Sequence, residues 1–544
     1  MKTQCIHMSK TGSLLMAAAF LSLVSCRTSE TESNNLAAGT TAQIKVNFLG
    51  TAFKDNDTAS GAQALIVGKA LSSGNRKEQS RSILITPSTA MTVGLSPVSS
   101  NGKVSAQAGL KNTMAVSGDP LTSGVKFRLI AYKTSDGSYQ SYQDYTIGQA
   151  APSITLDNGV AYTIVAYSYG TSSLPPISSG ETGNLSSAQI TYDNLNRDLM
   201  YQSQSYTPSA SNTTLNLALM HQLSQITTNV TTNIGALNNV INAVLTPHFS
   251  NGTFALNTGV MSGRTTSAPQ SIVFNQNDFP AAVNTTVSAP AVLVNSSTTG
   301  NSASFSADVN IGGTTKNINF ANAFDITPGR QNNLNVRISK CGAYIGPNTN
   351  PVNYKEFMCQ NLGATPGIDP FSPEAGNYGD KYQWGAQTNQ TGRHYSQAND
   401  QSNSGAISGW NSTILPNDSW SDTSKTANDP CPSGYRVPTN TEWQAVIDNN
   451  TNVERTGSWA NSTTNYTTAL YFRNSQGVRT LMLPATGYRS HYPDGSLGYR
   501  GNGGYYWSSS AGSSGGYLLN VGSSSVLIGN YNRTYGYSVR CIAQ

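Results

Sequence analysis

Apolar residues recur at every second position in several stretches between residues 43 and about 340: Ile44, Val46 and Phe48; Val125, Phe127 and Leu129; Leu215, Leu217 and Leu219. A period of two sends successive side chains to opposite faces of an extended chain, so each stretch predicts a half-buried strand of an antiparallel sheet. SSG, SDG and DNG clusters separate these runs and supply the turns, which makes a β-sandwich the expected architecture. One stretch departs from the pattern. In IGALNNVINAVL, Ile234, Leu237, Val240, Ile241 and Val244 share one face at helical spacing, which predicts a short helix lying over a sheet.

Beyond residue 340 the signals change. Pro438 precedes Thr439, Asn440, Thr441 and Glu442, a T-x-x-E capping box: the Thr439 hydroxyl accepts from the third helical amide and Glu442 reaches back to the cap. A helix therefore starts there, with Trp443, Val446 and Ile447 on its inner face and Trp443 as a core anchor. All six tryptophans (Trp384, Trp410, Trp420, Trp443, Trp459 and Trp507) and four of the six cysteines (Cys341, Cys359, Cys431 and Cys541) follow residue 340. A Trp- and Cys-rich unit, residues 341–544, is thus joined to a body that lacks both.

The amino terminus sets the compartment. Lys2 and Lys10 precede an apolar run, Leu14 to Val24, too short to span a bilayer as a helix, which fits a cleaved signal over residues 1–25. Leu23-Val24-Ser25-Cys26 resembles the lipobox of bacterial lipoproteins, and that resemblance implies an acylated Cys26 and a membrane reached through its lipid anchor. Residues 26–42 are polar and aperiodic and read as a flexible tether. Arg27 stands where a retention aspartate often sits in lipoproteins, so the expected location is the outer membrane and the cell surface.

Composition agrees. Only 11% of the 544 residues are charged and the formal net charge is +5 without basic clusters, which excludes nucleic acid as an expected partner. Neutral hydroxyl and amide side chains dominate, the look of an extracellular β-rich protein.

Leu129-Ile130-Ala131-Tyr132, DNGVAYTIVAYSYGTSSLPP (157–176), Asp198-Leu199-Met200-Tyr201 and LALMHQLSQITTNV (217–230) occur here in the order in which they recur in fimbrillin-like proteins of the Bacteroidetes. The body resembles that family. The resemblance implies tandem β-sandwiches, residues 43–195 and 196–340, and surface display as pilus subunits joined to other fimbrial subunits by strand exchange, or as accessory adhesive proteins. It carries no catalytic residues. The C-terminal unit resembles the Fibrobacter succinogenes major paralogous domain through KEFMCQNLGA (355–364), KYQWGAQT (381–388), DPCPSGYRVPTNTEWQAV (429–446), LPATGYR (483–489), YYWSSS (505–510) and YGYSVRCI (535–542). That domain is similar in turn to C-type-lectin-like and formylglycine-generating-enzyme folds, an α+β arrangement of loops around a small twisted sheet. The fold class expected is therefore mainly β, with an α+β C-type-lectin-like terminal domain.

The chemistry of those folds does not transfer. Cys541 lacks the neighbouring cysteine that copper-thiol oxidation needs, and no Glu-Pro-Asn or Gln-Pro-Asp sugar-binding calcium motif is present; Leu415-Pro416-Asn417 has leucine where the carboxylate belongs. No cofactor, no metal site and no enzyme activity are expected. His221 lies on a strand without ligand spacing, Asp55-Asn56-Asp57 lacks the glycine and terminal glutamate of a calcium loop, and Gly512 to Gly516 has the G-x-S-x-G spacing around Ser514 without a strand-to-helix elbow. His248, His394 and His491 show no partnered spacing either.

Four cysteines in an exported unit imply two disulfides in one of three connectivities. Pairing Cys431 with Cys541 would tie the segment before the helix to the last strand, and Cys341 with Cys359 would close the amino-terminal loop. By loop-closure entropy the long bridge is worth about 5 kcal/mol and the short one about 3 kcal/mol. Ligand contact, to glycan or to a surface protein, is expected from aromatics set among amides and hydroxyls: Trp410 and Trp420 in the GWNSTILPNDSW loop as the exposed pair, with Tyr488 and Tyr505, while Trp384 and Trp507 fill the core.

Overall fold

A computed structural model describes residues 40–54, 79–98, 120–193, 197–210, 212–491 and 494–544. The signal segment, Cys26, most of the tether and Asp55-Asn56-Asp57 lie outside the described residues. The first strand begins at Thr41, within the segment expected to be tether.

Ile44 and Val46 lie buried on the strand Thr41–Ala52, as the period-two pattern requires, and Leu215, Leu217 and Leu219 on Thr214–His221. These two strands pair in parallel, Val46 opposite Leu215 and Phe48 opposite Leu217. They belong to a seven-stranded sheet ordered 139–146, 126–133, 162–168, 200–206, 214–221, 41–52 and 154–157. The strand Lys126–Lys133, next to the edge strand 139–146, is buried on both faces because the sheet is covered on both sides. Phe127, Leu129 and Ala131 pack with Ile44 and the three leucines, while Ile130 and Tyr132 pack with Phe254 and Leu256 of the far side. A three-stranded sheet of 189–193, 251–255 and 260–262 holds Ile190, Phe254 and Met261 against that second face.

A second sandwich stacks a sheet containing 224–232, 331–340, 89–97 and 79–86 on one ordered 270–272, 237–246, 303–311 and 314–324. Its core includes Val93, Leu95, Ile226, Val230, Phe305, Phe320, Val336 and Ile338. A cut between residues 195 and 196 does not separate the two sandwiches. The hairpin 79–97 belongs to the second, because Val93 pairs with Val336, while the strands 200–206 and 214–221 belong to the first. Local periodicity predicts strands but carries no information about which distant strand each one meets.

The expected helix in IGALNNVINAVL is a strand, Leu237–Thr246. Its pairing with 303–311 slips between Leu237 and Asn239 and again between Ile241 and Val244, and Asn242 takes a left-handed φ of 53°. Each bulge shifts the inward alternation by a residue, so Leu237, Val240, Ala243 and Leu245 point inward at a spacing that imitates a helix. Ile241 is left 44% exposed.

The C-terminal unit contains several small sheets around the helix Asn440–Asn449, whose capping box is complete: Glu442 N donates to Thr439 Oγ1 at 3.1 Å and Thr439 N to Glu442 Oε2 at 2.8 Å. Trp443 is fully buried and stacks on Phe357 with centroids 5.2 Å apart. Both expected disulfides are present, Cys341–Cys359 and Cys431–Cys541. A fold this rich in loops leaves many carbonyls without ladder partners, and buried arginines supply donors to them. Arg540 donates to the carbonyls of Met358 and Cys359 and to Asn361 Oδ1, and Arg533 to those of Gly512, Gly515 and Leu415. Arg489 and Arg500 grip Asp400 from two sides at 2.7 and 2.6 Å.

The unit is docked on the second sandwich. The turn of the 79–97 hairpin enters it: Cys341 N donates to Ser88 O at 2.7 Å and Cys359 N to Pro87 O at 2.8 Å. Ser88 Oγ donates to Glu356 Oε2 at 2.8 Å and lies 2.9 Å from the Tyr435 hydroxyl. Ala90 packs on the Cys341–Cys359 bridge.

Candidate functional site

Tyrosine and glycine alternate through the last sixty residues of this unit in GYR (487–489), LGYRG (497–501), GGYYW (503–507) and GNYNRTYGY (529–537). The sheet 504–511, 515–521 and 526–532 turns one face towards α-helix Asn440–Asn449, where Tyr506, Leu519 and Val521 pack with Trp443. Its other face carries Tyr505, Trp507 and Leu518, covered by Tyr382, Trp384, Tyr537 and Val539. At the rim of that second core the tyrosines reach solvent.

Tyr535 stacks on Tyr537 with centroids 5.4 Å apart, and Tyr537 stacks on Tyr505 at 5.3 Å. The edge of Tyr488 meets Tyr505 at 5.3 Å and Tyr535 at 5.4 Å, Tyr499 stacks on Tyr488 at 5.5 Å, and Tyr531 meets Tyr535 edge-on at 6.4 Å. Tyr537 is buried; Tyr488, Tyr505 and Tyr535 are half-buried; Tyr499 and Tyr531 are 47% and 38% exposed. Glycine makes room for the rings. A Cβ at Gly529 would come within 2.3 Å of Tyr531 Cε2, and one at Gly498 within 2.8 Å of Tyr488 Cε2. Tyr499 itself sits at φ 57°, a left-handed conformation that costs a bulky residue about 1 kcal/mol or more.

The phenols perturb one another. Burial pushes the Tyr488 phenol above its usual range, and the phenols of Tyr535, Tyr499 and Tyr531 add to the shift. Tyr505 is raised further by burial and then by Tyr488, Tyr531, Tyr499 and Tyr535. After burial the perturbers are other phenols, and among the described residues no guanidinium stacks on any of these five rings. Hydrogen bonds from the five hydroxyls to protein groups are likewise absent among the described residues. Each phenol is a donor and an acceptor held at a partly apolar surface, with the His491 ring meeting Tyr535 edge-on at 5.1 Å. Asn520, directly opposite Tyr505 across the sheet, adds an amide to the same face.

Tyr488 and Tyr505, expected at a contact surface, are therefore brought together, whereas Trp410 and Trp420 are not exposed. Trp410 is 4% exposed and Trp420 is fully buried. Trp410 Nε1 donates to Thr534 O at 2.9 Å, and its ring lies over Gly495 and Gly536. Trp420 Nε1 donates to Asn428 O at 3.0 Å and its ring leans on Trp384. The polar loop around them folds inward because each indole finds both an apolar wall and a carbonyl. Sequence reasoning missed Tyr499, Tyr531 and Tyr535; the signal that finds them is the repeated pairing of tyrosine with glycine.

Other chemistry is enclosed. Lys381 Nζ donates to Ser538 Oγ at 2.9 Å, a Ser–Lys spacing, and burial lowers the Lys381 pKa to about 7. Both residues have zero exposure and Ser538 is engaged with Thr486 Oγ1 at 3.0 Å, so no substrate reaches them. Ser514 lies in a tight turn between two strands, not at a strand-to-helix elbow. Folding does give histidines partners that spacing did not show: His394 Nε2 lies 2.9 Å from Asp380 Oδ2, and His221 Nδ1 lies 2.7 Å from Asp198 Oδ2 while stacking on Phe53. His248 Nδ1 accepts from Asn295 N at 3.0 Å. Among the described residues no group of three His, Cys, Asp or Glu could hold a metal ion, and no helix is long and apolar enough to cross a membrane.

Residues 112–352 match the family model described as fimbrillin-like, and residues 332–543 match that of the Fibrobacter succinogenes major domain. The two matches overlap over residues 332–352, which take in most of the strand Gln331–Lys340 and the segment that follows it through Cys341. No curated protein matches the chain. Similar solved structures include a candidate cell adhesion protein from Bacteroides uniformis, 11% identical over 40% of this chain and 90% of that one at a TM-score of 0.29. Another from Bacteroides fragilis is 11% identical over 54% and 92%, with a TM-score of 0.29. A fimbrial assembly protein from Parabacteroides distasonis is 8% identical over 39% and 82%, with a TM-score of 0.26. At these scores the likenesses do not establish an architecture.

Proposed function

We propose that this chain is a surface adhesin of the fimbrial type, a tip or accessory subunit that makes its contacts through the tyrosine face of its C-terminal unit. The fimbrillin-like match of the body supports surface display. Acylation at Cys26 would fasten the chain to the outer membrane, and the two sandwiches would hold a lectin-like terminal module away from it, facing glycan or protein. The observation that carries the reading is the convergence of five tyrosine rings, two of them exposed, on one patch.

The test is adherence. Beads bearing the full chain should bind target cells, and Tyr499→Ala with Tyr531→Ala should abolish binding while the tryptophan fluorescence stays native. Adherence that survives both substitutions, or co-purification with filaments and no adherence at all, would instead favour a structural subunit. Turnover dependent on His394 or Ser514 would move the protein to the enzymes.

A further inference from the structure

We infer that the tyrosine face takes an uncharged carbohydrate and holds it without a metal ion. This rests on the proposal that the face is the contact surface, and it names the ligand class from the groups found there. Tyr499 and Tyr531 stand at opposite ends of the patch, joined through Tyr488 and Tyr535. Their exposed ring faces are apolar, and an apolar face in water favours a partner with C–H groups to lay on it. The hydroxyls beside them form no hydrogen bond to protein among the described residues. A partner must therefore offer apolar faces and, at their margins, groups that both donate and accept hydrogen bonds. A neutral sugar ring does both.

Alternatives fit less well. A sulfated or sialylated glycan, a phosphate or an acidic peptide is best held by a permanent cation, and among the described residues no guanidinium stacks on these rings, His491 beside Tyr535 being the one imidazole in ring contact with them. A quaternary ammonium needs several free ring faces around one point. Here Tyr488 already lends a face to Tyr499, and Tyr535 one to Tyr537. Metal-bridged sugar binding needs carboxylates in a group, and the described residues hold none.

The Tyr499 backbone sharpens the argument. A tyrosine at φ 57° is strained, and asparagine occupies that conformation more readily. Retaining an exposed, strained aromatic is explained by use of its ring. Tyr499→Asn should therefore raise or preserve the thermal midpoint while removing the stacking surface.

The experiment is calorimetric titration of the full chain with cellohexaose, laminarihexaose and a neutral lactosamine oligomer, each with and without EDTA. Sialyllactose and a heparin hexasaccharide serve as charged probes. At least one neutral probe should bind saturably and be indifferent to EDTA. Affinity should fall roughly tenfold in Tyr499→Asn and in Tyr531→Ala, and roughly fivefold when Tyr499→Phe and Tyr531→Phe remove the hydroxyls alone. Binding only of charged probes, binding abolished by EDTA, or no neutral binding at millimolar sugar overturns the inference. If adherence nevertheless depends on Tyr499 and Tyr531, the contact face stands and only its ligand class is wrong; if adherence ignores both tyrosines, the face itself is wrong.

Discussion

Lys381 is fully enclosed, with its ammonium on Ser538 Oγ, and burial, the leading cause, brings its pKa from 10.5 down to about 7; Asp400 opposes the shift, and Arg500 and Arg489 add to it. In the unfolded chain the group regains its ordinary value. Between pH 7 and 10.5 the unfolded chain therefore binds a proton that the folded chain rejects, so the contribution of Lys381 to stability rises with pH and is lost as pH falls through the folded value. Each pKa unit corresponds to about 1.4 kcal/mol, so the full window is worth about 5 kcal/mol and the span from pH 7 to 10 about 4 kcal/mol, as upper limits. Lys381→Met removes the term. All six tryptophans lie beyond residue 340, so denaturant unfolding followed by their fluorescence reports the C-terminal unit alone. Measured at half-unit steps, the stability of wild type minus variant should climb by up to about 4 kcal/mol from pH 7 to pH 10. A gap that stays level, or that narrows as pH rises, would show that the ammonium is solvated in the folded protein and that the reasoning is wrong.

The same fluorescence transition tests two further features, and hydrogen exchange tests a third. Thr439→Ala removes the side-chain half of the capping box and should cost about 1 kcal/mol, with Thr439→Ser recovering most of it. Replacing Cys431 and Cys541 by serine should cost about 5 kcal/mol against about 3 kcal/mol for Cys341 and Cys359, because the closed loops span 110 and 18 residues; equal losses would refute the entropic ordering. Ser88→Ala removes the hydroxyl that Glu356 Oε2 accepts from and that the Tyr435 hydroxyl donates to at the docked hairpin, leaving Glu356 its Lys340 ion pair, so the amides of Cys341 and Cys359, which donate to Ser88 and Pro87, should exchange faster with deuterium while the first sandwich keeps its protection.

Features decided within a few residues were legible. The capping box at Thr439 and Glu442 needs one turn of chain, so spacing alone predicts it. Period two works at Leu215, Leu217 and Leu219 because their strand is regular, and fails at Leu237 to Leu245 because two bulges give a strand the inward spacing of a helix. Trp410 and Trp420 sit in a stretch as polar as any surface loop. Their burial depends on the carbonyl of Thr534 and the wall of Trp384, neither of them nearby in sequence for both indoles.

By itself, then, the sequence determined strands, one helix and its cap, a chain divided at residue 340, and four cysteines to be spent on bridges. Only the tertiary structure decided that residues 79–97 complete the second sandwich and dock the terminal unit, and that Tyr488, Tyr499, Tyr505, Tyr531 and Tyr535 form one surface. The physical reason is range. Backbone preference and side-chain period act between neighbours along the chain, whereas burial and ring contact act between neighbours in space, and strand register together with the return of residues 533–539 across the sheet chooses those neighbours.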